Sequence, residues 1–389
     1  CNNEAIEQAP EEQACDNGTF IGDITLTTQQ EIDDFGALCY TAIEGTLRIG
    51  ITAPSDSVSD INNLAALSSL TSISDYLIIS LNPELENLNG LNNLNSIPHI
   101  QIHFNDSLLN LTGFDSLPSE LSTLWILGND SMIDLTGIES VNHVTTQIGV
   151  QGNNNLESVS GFENLTQTGT YFFIGDNPEL TSIEALSNLN SSGHLYFLGN
   201  DSLASLNGLQ NLEILNTLIL SGNPLITSLE VFSNIDSMVN LSINGMVGLT
   251  SLQGLHNVTQ IENLNGEGLS ITGNDSLVNL NGLESLTSIM GQVWIAYNDN
   301  LETFQGLNNL TEVETIRITN NTNLVSLEGL NSLQEISSNI HLFSNINLSD
   351  FCAIQDLITN GSYDPSLFNV HSNAFNPSLQ DIIDGNCSQ

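Results

Sequence analysis

Both tryptophans and both arginines of the chain fall in one column of a repeating pattern. The column is the residue between two apolar ones in each repeat. It reads Arg48, Ile78, Gln101, Trp125, Gly149, Phe173, Tyr196, Ile219, Ser242, Ser270, Trp294, Arg317 and His341. Flanking columns add Tyr76, His99, His103, Tyr171, His194 and Phe343. These side chains make contacts rather than bonds: aromatic faces stack, and a guanidinium lies over an indole. They are the types that dominate binding hot spots. The predicted binding face is Arg48, Tyr76, Trp125, Tyr171, Phe173, Tyr196, Trp294, Arg317, His341 and Phe343. Tyr171, Phe173 and Tyr196 should lie within about 5–7 Å of one another on neighbouring strands. Trp294, Arg317, His341 and Phe343 should form a second cluster. Gly149 should leave a gap of roughly two strand spacings between Trp125 and Phe173, open to a ring.

Bond-making chemistry finds little support. No phosphate-cradling glycine loop and no Ser/His/Asp or Cys/His arrangement is legible, so no enzyme and no cofactor are expected. His99 and His103 share a strand face, yet four residues span ~13 Å, too far for ligands that bind one metal at ~2 Å. The acids after each repeat's Asn (Asp106, Asp130, Asp201, Asp275, Asp299) are interrupted by Pro83, Pro178 and Pro224. They read as turn formers rather than calcium ligands, and no metal is expected.

The elements that position the column follow from the repeat itself. Leu195–Leu209 (LYFLGNDSLASLNGL) shows it as apolar-x-apolar-x-x-Asn, then spaced leucines and a Gly-Leu. The Asn recurs at 82, 105, 129, 153, 177, 200, 223, 274, 298, 321 and 345, with Met246 taking one place and Thr52 the first. The step from Met246 to Asn274 is longer and implies an insertion near Glu262–Gly268. A period in the twenties signals a solenoid. The apolar pair is a short strand with one buried face. The Asn stands where the chain bends inward, and its side chain has both acceptor and donors for the buried backbone of the bend. Glycines at 90, 113, 137, 161, 208, 254, 282, 306 and 329 imply close backbone approach on that flank.

This pattern resembles the leucine-rich-repeat and receptor-L-domain-like solenoids over roughly Leu47 to Leu348. The resemblance implies a mainly β, right-handed solenoid of about 12–13 coils with stapled end caps. It says little about function, because such folds host many binding activities.

The chain has 389 residues, 40% of them hydrophobic, and a net charge of −43 from 45 acids against two cations. Such a surface repels phosphates, so no nucleic-acid partner is expected. The expected domains are a flexible acidic tether (1–14), an N-terminal cap (15–46), the solenoid (47–349) and a C-terminal cap (350–389). Thr19–Leu26 reads as a strand, Gln29–Leu38 as a short helix with Ile32, Phe35 and Leu38 on one side, and Asp350–Ile358 as a capping helix. Tyr363–Cys387 reads as irregular. Four cysteines allow three pairings. Local pairing, Cys15–Cys39 and Cys352–Cys387, would staple both caps, at about 3 kcal/mol each, and implies an oxidising compartment.

Cys1 followed by an acidic stretch resembles a Bacteroidota surface lipoprotein, lipidated at Cys1 and held in the outer membrane at the cell surface, with a secreted extracellular form as the alternative. Asp-Ser-Leu/Met at Ser107, Ser131, Ser202 and Ser276 resembles the O-glycosylation sequon of that group. The expected function is a protein-interaction or adhesion module, possessing as partner another surface or outer-membrane protein and serving as a subunit of an outer-membrane complex. The alternatives are a glycan-capture lipoprotein that stacks polysaccharide rings on Trp125, Phe173, Tyr196 and Trp294, or a surface-layer or filament component.

Overall fold

The computed structural model describes residues 17–51, 59–360 and 363–389. Cys1, Cys15, Thr52 and the expected tether lie outside them. The described chain is a mainly β solenoid. Its principal strands pair in one parallel line from Ile24–Leu26 to Phe368–His371. One coil shows why. Leu195, Phe197, Asn200, Leu203, Leu206, Leu209, Leu212 and Leu215 are all buried. The step of two makes a strand with one face inward. The steps of three mark tight turns: Leu203, Leu209 and Leu212 donate their N–H to the carbonyls of Asn200, Leu206 and Leu209, at 3.1, 3.2 and 3.1 Å. Stacked coils then merge these inward residues into one apolar core.

The Asn ladder forms as its chemistry requires. Asn105 Nδ2 donates to Ile79 O and Asn129 Oδ1, both at 3.1 Å, while Asn105 Oδ1 accepts from Asn82 N–H at 3.2 Å and Asn82 Nδ2 at 3.0 Å. At Met246 the ladder changes partners: Asn223 Nδ2 meets Met246 Sδ at 3.9 Å, and Met246 N–H donates to Asn274 Oδ1 at 2.9 Å. The insertion appears as register shifts between Glu262 and Leu269 in the strand Gln260–Thr272.

The residue just before each ladder Asn is left-handed, which swings the Asn inward. It is Gly at 128, 152, 199, 222 and 273, and at 245 before Met246, but Leu81, Phe104, Asp176, Tyr297, Asn320, Ser344 and Ser372 elsewhere. On the opposite flank the turn glycines have φ between 108° and 120°. Where a coil lacks that glycine, at Ala66, Ala185, Val231 and Ala353, the turn winds into a 3-10 helix instead (Ala65–Leu67, Glu184–Asn188, Glu230–Phe232, Cys352–Ile354).

The ends correct several expectations. Thr19–Leu26 is two strands in two sheets: Ile24–Leu26 begins the main line, and Thr19–Ile21 pairs with Ala42–Glu44. The helix Gln29–Ala37 buries Ile32 and Phe35, but Leu38, at its C-cap, is exposed. The segment after the repeats holds a 3-10 turn, the helix Gln355–Asn360, and then a further strand, Phe368–His371, and the helix Leu379–Ile383, so it is not irregular. Asn373 extends the ladder, accepting from Asn345 N–H at 3.0 Å. Phe368, Val370 and Asn373 repeat the motif, but a 28-residue spacing from Asn345 hid it. The Cys352–Cys387 disulfide is present. Cys39 is disulfide-bonded, and its expected partner lies outside the described residues. No helix among the described residues is long and apolar enough to cross a membrane.

The C-terminal end carries a pH dependence. Tyr363 Oη donates to Leu367 O at 2.8 Å and accepts Ile340 N–H at 3.0 Å. Burial is the main cause pushing its pKa up from 10.0 to about 12. A raised folded pKa adds stability that is complete below the unfolded value and is lost as pH rises through the folded one. Wild type should therefore melt above Tyr363→Phe at neutral pH, with the gap closing between about pH 10 and 12. A gap constant across that range would refute the assignment.

Candidate binding face

The strands present the predicted column on the outward face of the sheet, and register places it residue against residue. Phe173 pairs with Gly149 and Tyr196, and Trp294 with Ser270 and Arg317. The predicted residues fall into three patches: the two expected clusters and a third near the N-terminal end. Near the N-terminal end, Tyr76 stacks on His99 with ring centroids 4.3 Å apart, and Arg48 is half-buried nearby in the strand Leu47–Gly50.

In the middle, Tyr171 lies 5.9 Å from Tyr196, and Phe173 lies 6.5 Å from it, as strand spacing implies. Tyr196 Oη sits 3.3 Å from His194 Nδ1, and burial holds the His194 pKa below its usual value. The gap expected at Gly149 is filled. A Cβ there would fall 2.1 Å from Trp125 Cε3, so the Trp125 indole itself lies over the glycine. The Trp125 Nε1–H donates to Gln147 Oε1 at 3.3 Å, which fixes the ring in place.

Toward the C-terminal end, the Arg317 guanidinium carbon lies 5.7 Å from the Trp294 ring and 5.8 Å from Phe343. His341 pairs in register with Arg317, and burial first, then that guanidinium, lowers its pKa. The Phe343 ring stacks on His371 at 5.0 Å. Among the described residues the one ion pair within 4.0 Å joins His143 to Glu120 at 3.4 Å. Neither Arg48 nor Arg317 pairs with a carboxylate there.

Two cavities open on this face. One, of about 390 Å³, lies where the column turns to serine: Ser242 and Ser270 form the floor, with Ile219 and Trp294 at its sides. Its polar floor is already ordered, with Asn244 Nδ2 donating to Ser242 Oγ at 2.7 Å and Ser270 Oγ to Asn244 Oδ1 at 3.3 Å. The other, of about 420 Å³, surrounds Arg48.

The left-handed rim was not anticipated. Phe104 and Tyr297 stand 45% and 57% exposed at positions that are glycine in other coils. A bulky residue with positive φ costs on the order of 1 kcal/mol and tends to mark functional ground. The signal was present in the sequence, as a break in the run of glycines before the ladder Asn.

The four serines proposed for glycosylation are half-buried. Ser107 Oγ donates to Pro83 O at 2.5 Å and Ser276 Oγ to Val247 O at 2.6 Å, so two of the hydroxyls already bridge adjacent coils. Among the described residues, no group of three or more His, Cys, Asp or Glu side chains is placed to hold a metal ion.

Residues 39–125 match the receptor L domain family. No curated protein matches the chain. Among solved structures, the chain is similar to an internalin from Listeria monocytogenes, at 15% identity over 90% of this chain and 89% of that one, with a TM-score of 0.40. It is also similar to a chain of the TLR13–ssRNA13 complex, at 18% identity over 90% of this chain, with a TM-score of 0.36, and it spans 53% of that longer chain.

Proposed function

We propose that this chain is a non-enzymatic binding module that engages a partner protein at the cell surface through the outward face of its sheet. The observation that carries the reading is Arg317. In a chain with 45 acids, this cation stands exposed, flanked by Trp294 and Phe343, with no ion pair among the described residues. Ion pairing within the chain would have been easy to arrange. An exposed guanidinium between two rings instead offers a ready contact for a partner's acidic or aromatic side chain. The disulfides at Cys352–Cys387 and at Cys39 support an oxidising setting outside the cytoplasm. Membership of an outer-membrane complex is the finer form of the reading.

The test is to extract the native protein in mild detergent and measure its mass by light scattering. Wild type should run well above its own 41.9 kDa with a defined protein partner. Trp294→Ala with Arg317→Ala should run alone, since losing a central aromatic and its arginine costs about 2 kcal/mol or more, roughly thirtyfold in affinity. A partner retained by the double variant would refute the reading.

A glycan reading is favoured by one observation, the trough beside Trp294. Its hydroxyl and amide floor beside an indole suits a sugar ring. Retardation of a lone monomer in polysaccharide gels, abolished by Trp294→Ala, would establish it.

A further inference from the structure

At the N-terminal end of the sheet, the cavity of about 420 Å³ brings together Arg48, Ile78, Leu81, His103, Phe104 and Asp106. We propose that it binds a single carboxylate attached to an apolar or aromatic body, with Arg48 gripping the carboxylate and Ile78, Leu81 and Phe104 enclosing the body. The proposal adds a ligand class to the face already read as a binding surface, and it shares only that premise.

Three independent features converge here. Arg48 is one of two cations among 45 acids, yet it has no ion pair among the described residues. Asp106 also lines the cavity but does not come within ion-pairing distance of the guanidinium. The planar donor fork of an arginine matches a carboxylate two bonds at a time.

The walls are the second feature. Leu81 and Phe104 have φ of 58° and 57°, at a position where six other coils use glycine. Glycine would relieve that strain, so the chain keeps two bulky side chains at a conformational cost. The Phe104 ring is steadied from the next coil: a Cβ on Gly128 would fall 2.6 Å from its Cδ1 and Cε1, so the ring lies across that glycine.

The third feature is charge. Burial, and then the Arg48 guanidinium, lower the His103 pKa, which keeps the imidazole neutral and Arg48 the single cation of the lining. One cation with Asp106 nearby suits a monoanion better than a phosphate dianion. The overall −43 opposes any anion at long range, but physiological salt confines that repulsion to about 8 Å.

The shared chemistry can come from a free small acid or from a peptide C-terminus with an apolar last residue. Calorimetry on the intact chain would use 3-phenylpropanoate and its amide, and a tetrapeptide ending in Phe with a free or amidated terminus. The acids should bind, and the amides should bind at least about tenfold more weakly. Tighter binding of the peptide acid identifies a chain terminus, and tighter binding of phenylpropanoate identifies a small acid. Arg48→Gln should remove the preference for acid over amide, and Arg317→Gln should leave it intact. Phe104→Gly should weaken binding of the acids while the protein still melts cooperatively.

Equal binding of acids and amides, no binding of either acid at 10 mM, or equal losses in the two arginine variants would overturn the proposal. Partner capture that survives Arg48→Gln but fails in the Trp294 and Arg317 variant keeps this proposal separate from the functional reading above.

Discussion

Asn153→Ala should lower the free energy of unfolding by about 3–5 kcal/mol, read as a fall in the urea midpoint. The side chain makes five hydrogen bonds. Its Oδ1 accepts from Asn129 N–H at 3.0 Å and from Asn129 Nδ2 at 3.2 Å. Its Nδ2 donates to Ile126 O, Gln151 O and Asn177 Oδ1, each at 3.2 Å. Alanine satisfies none of them, and no water reaches a site where Asn129, Asn153 and Asn177 are all fully buried. Each stranded group costs on the order of 1 kcal/mol or more. Asn153→Asp should be at least as damaging, because a carboxylate cannot donate to the three carbonyl oxygens and its charge would be buried unpaired. The coil at Met246 sets the milder limit. There an apolar side chain fills the space, and Asn274 still accepts the Met246 N–H. Asn153→Met should therefore cost less than Asn153→Ala, and an alanine cost below about 1 kcal/mol would show that the ladder is dispensable.

Gly306→Ala is the second large effect, again about 3–5 kcal/mol by the same measurement. The glycine has φ of +113°, and an added Cβ would fall 2.0 Å from Leu280 O and 2.3 Å from Leu280 C in the coil before. Those are backbone atoms held by their own turn, so they cannot swing aside. The coils at Ala185 and Val231 show another solution, a 3-10 turn, but it belongs to their own local sequences. The reverse change, Ala185→Gly, removes no contact of this kind and should cost less than about 1 kcal/mol. Similar costs for the two changes would mean that turn geometry is interchangeable between coils.

Much of this architecture was legible because it rests on spacing alone. Alternation by two gives a strand, a period in the twenties gives a stack, and one Asn per coil gives its ladder. Strand register then placed Tyr171, Phe173 and Tyr196 at the distances found. What spacing does not give is rotamer and backbone sign. The Trp125 indole leans along the sheet onto Gly149, so the expected gap is occupied. Leu38 falls at the helix C-cap, where the chain turns away and the helical face no longer continues. Asn373 was hidden by a longer coil. The rim formed by Leu81, Phe104 and Tyr297 depends on φ, and it was visible only as glycines that the sequence declines to use.

The location of the two arginines has a further consequence. A protease that cuts after Lys or Arg finds two susceptible bonds in the 389 residues, Arg48–Ile49 and Arg317–Ile318. Each bond lies inside a strand that is paired on both sides, Leu47–Gly50 and Glu312–Thr319. Trypsin-like enzymes must draw an extended segment into their cleft, and here that would mean lifting a strand out of the stack. The arginines proposed to meet a ligand or partner thus coincide with the bonds best hidden from digestion, and the folded chain should resist such enzymes.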